Sequence, residues 1–149
     1  MSERDSSRLA VSDRPELGAA LAIGLGGGLR AFAPAVGLAV HDRKPFGGRA
    51  RFITAGAAAV ELIADKLPST PSRWSARGMS ARVVFSATGG GVLGGGPGVA
   101  IAVAAAAGAA FAGSRLRAQV HGRGRQLVAA VAEDALSYSL VLTATSSLD

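Results

Sequence analysis

The chain contains no cysteine, so it has neither a disulfide framework nor a thiolate metal site. It has only two histidines, His41 and His121, each in a basic connecting segment, and nothing in the pattern predicts a metal site or a cofactor. Aromatic residues make up 5% and charged residues 17%, against roughly 25% charged in an average soluble domain. With so little charge the chain has little polar surface to cover a soluble core. No Ser, Cys or His-carboxylate arrangement marks a nucleophile, so enzymatic chemistry is not expected.

What is abundant is apolar residues, at 49%, and glycine, at 21 of 149 residues. Residues 1–16 are mostly polar and predict a disordered tail; residues 17–149 predict one helical domain. Leu17–Val40 is the longest apolar run, interrupted by Arg30 and Pro34. As one helix it would be ~36 Å long, enough to cross a ~30 Å hydrocarbon core. Phe52–Leu67, Val83–Leu93, Val99–Gly113 and Leu127–Thr145 follow, with a turn at "GGGPG", Gly94–Gly98. The pattern is all-α: a compact bundle of about five short glycine- and alanine-rich helices, transmembrane or re-entrant. An Ala-x-Ala at Ala31–Ala33 resembles a signal cleavage site. Arg30 just before it and Pro34 just after it argue against cleavage.

Net charge is +6, which in a soluble protein points to nucleic acid. Here the arginines are confined to three links between apolar runs, "HDRKPFGGRAR" (His41–Arg51), "PSRWSARGMSAR" (Pro71–Arg82) and "SRLRAQVHGRGR" (Ser114–Arg125). That is the footprint of cytoplasmic loops beside a bilayer, with anionic lipid as the partner of the loops and no nucleic acid. The expected location is a bacterial inner membrane, multi-pass. The uncharged GGGPG turn should face outside. The basic His41–Arg51 link breaks simple alternation, which leaves a re-entrant segment or dual insertion with an inverted homodimer.

The glycines fail the tests for a phosphate loop: no Gly-Lys-Ser/Thr follows, and Leu29 stands where a dinucleotide fingerprint needs its last glycine. They fit close helix packing instead, with Gly24 and Gly28, Gly90 and Gly94, and Ala109 and Gly113 as small-xxx-small pairs.

Five charges interrupt the apolar runs. Glu61 and Asp65 stand one helical turn apart in "ELIADKLP"; Glu133 and Asp134 lie inside the last segment; Arg30 lies inside the first. A charge at mid-membrane costs about 2.5–3.5 kcal/mol on insertion scales, so these groups should pair or face a wet cavity. We expect them to converge on one ligand or ion site, with Arg30 paired to Glu61 or Glu133. An interior structural ion pair and a functional polar site remain equal readings. The order small-residue helix, arginine, basic link, acidic helix occurs twice, which suggests two inverted repeats.

"GLRAFAP", "ELIADKLP", "RGMSARVVFSATGG" and "VAEDALSYSL", in that order, resemble the bacterial membrane family catalogued as domain of unknown function 4126. The resemblance runs from about Leu17 to the end. It implies an integral membrane protein and supplies no substrate. Three readings follow: a small transporter or channel for an ion or solute, a non-catalytic membrane scaffold with buried ion pairs, and a soluble basic helical protein.

Overall fold

The computed structural model describes residues 3–41, 49–64 and 76–146. They form five helices, α1 (Glu3–Leu29), α2 (Ala33–His41), α3 (Arg49–Ala64), α4 (Ala76–Gln119) and α5 (Arg123–Thr145), and no strand. The all-helical expectation holds. Two details differ. The backbone is helical from Glu3, where a disordered tail was expected; once a packed turn nucleates a helix, each further residue adds a hydrogen bond at small cost. The Leu17–Val40 run is also two helices, not one. Pro34 has no N–H to donate to Arg30 four residues earlier, and its ring would clash with that carbonyl. The helical bonding of α1 ends at Arg30 N–H to Gly26 O, 2.8 Å, and resumes with Val36 N–H to Phe32 O, 3.0 Å.

α4 is a helical hairpin, with the turn where the glycine–proline cluster predicts it. Gly94 (φ −140°, ψ 21°) and Gly95 (φ 58°, ψ −146°) leave helical geometry, and the positive φ of Gly95 favours glycine. The two arms, 76–93 and 96–119, fold back on each other. A Cβ placed on Gly90 would lie 2.5 Å from the Ala102 Cβ, whereas a straight helix would hold these residues ~18 Å apart.

The bundle is organised around α1, which lies between the α4 arms with α5 on a third side. Three consecutive glycines make this possible, because successive residues on a helix point ~100° apart. A side chain on Gly26 would strike Ser137 and Val141 of α5; on Gly27, Ser86 of the first arm; on Gly28, Ala106 and Ala109 of the second. Gly24 meets Ala102 one turn below Gly28. α2 packs through Gly37 on Val141 and Thr145 of α5, and α3 packs on α2.

The packing roles expected for Gly24, Gly28 and Gly90 are therefore seen. Gly94 is a correction: it forms the hairpin turn, and its nearest neighbour would be at an ordinary 3.6 Å. Gly113 is buried and lines a groove.

Gly28→Ala should destabilise the fold by about 1–3 kcal/mol, since its methyl meets the Ala106 backbone. Gly108→Ala, with open space around it, should be stabilising by about 0.5–1 kcal/mol. Thermal unfolding of the purified variants checks the pair; equal shifts would contradict this packing.

Candidate functional site

Breaking a helix inside an apolar bundle leaves backbone groups without partners. α1 ends with carbonyls that lack helical donors, and α2 begins with N–H groups that lack acceptors. Side chains from α3 and α4 reach these groups, and one from α5 binds α1 just below them.

Glu61 of α3 accepts hydrogen bonds from both free amides. Ala31 N–H donates to Oε1 at 2.8 Å and Phe32 N–H to Oε2 at 3.1 Å. A carboxylate is well matched here, because the start of a helix carries partial positive charge. On the other side of the break, Arg82 of the first α4 arm donates through Nε to Gly28 O at 3.0 Å and through Nη1 to Gly78 O at 2.9 Å. Its positive charge meets the negative end of α1. Ser137 of α5 donates to Gly26 O at 2.8 Å.

Arg30 sits in the break itself, 1% exposed, and is paired with Asp134 of α5. The orientation of α5 explains the choice of acid. Asp134, Ser137, Val141 and Thr145, spaced three to four residues apart, share the face turned to α1 and α2. Glu133 is rotated ~100° away and binds Arg117 Nε at 2.7 Å, near the link between α4 and α5.

The expected convergence is thus corrected in part. Arg30, Glu61 and Asp134 meet at the break. Glu133 is bound by Arg117, and the acid paired with Arg30 is Asp134, where Glu61 or Glu133 was expected. Asp65 lies outside the described residues. Arg82 was read as part of a basic loop, yet it is 5% exposed and integral to the site. Ser137 and Tyr138 carried a usable signal, lying three and four residues beyond Asp134 and so one turn along the same side of α5.

Two hydroxyls at the break make no hydrogen bond among the described residues. Ser86 Oγ is wholly buried beside Gly27, and the buried Tyr138 hydroxyl lies in the electrostatic field of Glu61, Arg30 and Asp134. The Phe32 and Phe85 rings, 4.9 Å apart, pack α2 against the first α4 arm beside them. Among the described residues no group of three or more acidic or histidine side chains could hold a metal ion.

No family model matches the chain, and neither a curated protein nor a solved structure matches it.

Arg30→Met would leave Asp134 without its buried partner and should cost about 3–5 kcal/mol. The double variant Arg30→Met/Asp134→Leu should recover most of that loss. Glu133→Gln, at the partly exposed Arg117 pair, should cost about 1 kcal/mol or less. Chemical denaturation of the three proteins tests the order, and no recovery in the double variant would contradict the pairing.

Proposed function

We propose that this is a small multi-pass protein of a bacterial plasma membrane that passes an ion or small polar solute at the helix break. Two helical stretches, the α4 hairpin over Gly78–Gln119 and α5 over Arg123–Thr145, have the length and composition of membrane-crossing segments, the first as two arms that turn at Gly94–Gly95. Their most apolar stretches are only 28% and 17% buried within the bundle. Phe52, Ile53, Val60 and Ile63 of α3, and Val128, Val131 and Leu136 of α5, likewise point outward. Water disfavours so much outward apolar surface, while lipid suits it, which weighs against the soluble reading.

The observation that carries the transport reading is the Tyr138 hydroxyl. It is buried without a hydrogen-bond partner among the described residues, in the field of Glu61, Arg30 and Asp134, and buried polar groups are seldom left unsatisfied. Discontinuous helices place substrate and ion sites at the same kind of break in transporters. Glu61 and Asp134 would supply exchangeable negative charge, and Tyr138 a hydroxyl for the solute.

The scaffold reading also has an observation in its favour: Glu61, Asp134 and Glu133 each have a partner within the fold. Tyr138→Phe separates the two. It removes a hydroxyl that bonds to nothing among the described residues, so the variant should stay folded. In proteoliposomes assayed against a panel of ions and small metabolites, wild type should show flux, Tyr138→Phe should lose most of it, and Glu133→Gln should keep it. An absence of flux across the panel, or full flux in Tyr138→Phe, would favour the scaffold. Release of the protein from membranes by carbonate washing would remove the membrane reading altogether.

A further inference from the structure

The second arm of α4 and α5 are joined by a link of only a few residues, yet they diverge instead of packing together. Between them lies a groove of about 510 Å³, on the side of α1 turned away from the first α4 arm. Leu25 and Leu29 form its floor, Ala112 and Gly113 one wall, Ala132 and Leu136 the other. Its polar lining is the Arg117–Glu133 pair, at the end near the link. The volume is that of an ordinary small-molecule pocket, but the wall chemistry is hydrocarbon.

The geometry points to a bound lipid: one acyl chain of an anionic phospholipid lies in this groove, and arginines of the 114–125 segment hold its phosphate. The charge at the mouth supports this occupant. Residues 114–125 carry Arg115, Arg117, Arg123 and Arg125 and no carboxylate. Arg117 is engaged with Glu133. Arg125 is exposed and stands one helical turn before Ala129, a residue of the groove wall, so it lies on the groove face of α5. Arg123, also exposed, is in the same first turn. Guanidinium groups suit phosphate through paired N–H donors. A second copy of the chain is a poorer occupant, because a symmetric contact here would bring the same basic segments together. Small residues on both walls leave the width that a single chain needs, and a lipid tail fills it without any backbone polar group to satisfy.

This inference rests on the membrane reading, which carbonate extraction tests separately. The experiment here is thermal unfolding of the full chain, purified in a neutral detergent. It is titrated with dioleoyl phosphatidylglycerol, with dioleoyl phosphatidylcholine, and with inorganic phosphate. Ligand binding to the folded state raises the unfolding temperature. Phosphatidylglycerol should raise it by several degrees, and the other two should have little effect. Ala132→Trp, an outward position that fills the groove, should unfold like wild type without lipid and lose most of the shift. Ala112→Trp on the facing wall gives an independent version of the same block. Arg125→Gln should weaken the response to phosphatidylglycerol and make it less sensitive to salt. Equal shifts with the two lipids, a full shift from phosphate alone, or an undiminished response in both tryptophan variants would overturn the proposal. Cross-linking of Ala132→Cys into a dominant disulfide dimer in membranes would also overturn it, by placing a second copy in the groove.

Discussion

The structure depends on satisfying a broken helix. Pro34 stops α1 from continuing into α2, and the break exposes amides at one end and carbonyls at the other inside an apolar bundle. An unsatisfied backbone group costs about 1–3 kcal/mol in a protein interior, and more in hydrocarbon. Glu61 takes two of these amides and Arg82 one of these carbonyls, and Ser137 adds a second bond to Gly26 O, which already accepts Arg30 N–H. Three different helices supply them, so the break also fixes where α3, α4 and α5 stand.

The charges follow from this arrangement. Glu61 is negative at the positive start of α2, and Arg82 is positive at the negative end of α1. Arg30, carried into the interior by the break, needs a counter-charge, which Asp134 supplies. The glycines serve the same end. Gly26, Gly27 and Gly28 let α5 and both arms of α4 approach α1 just below the break, close enough for short side chains such as Ser137 to reach its backbone. A rigid, mostly satisfied polar centre with unpartnered hydroxyls is suited either to holding a fold together or to holding a small ligand. The two uses are compatible, because a binding site in lipid needs a scaffold that does not collapse around it.

Much of the helical layout was legible in the sequence. The turn of α4 could be read from "GGGPG", and the apolar runs located α3 and α5, although the helices begin three and four residues before the runs do. Arg30 and Pro34 were visible as interruptions. What they do was not, because pairing logic looks for opposite charges, and the partner of Glu61 is two backbone amides. The choice of Asp134 over Glu133 depends on how α5 is rotated. That rotation is set by contacts of Ser137 and Val141 with Gly26, a hundred residues away in sequence. Arg82 looked like a loop residue because it ends a basic link; only the approach of α4 to the end of α1 turns it inward. Whether Asp65 joins Glu61 lies outside the described residues.

The central claim is that Glu61 is present in an apolar helix to hold the two amides of the break, Ala31 and Phe32, just before α2. Residue-resolved amide hydrogen exchange tests it most directly, by comparing wild type with Glu61→Ala. The account predicts that Ala31 and Phe32 are protected in wild type and lose that protection in the variant, while amides in the middle of α4 and α5 exchange as before. Unchanged protection at Ala31 and Phe32 in Glu61→Ala, or rapid exchange of both in wild type, would contradict it.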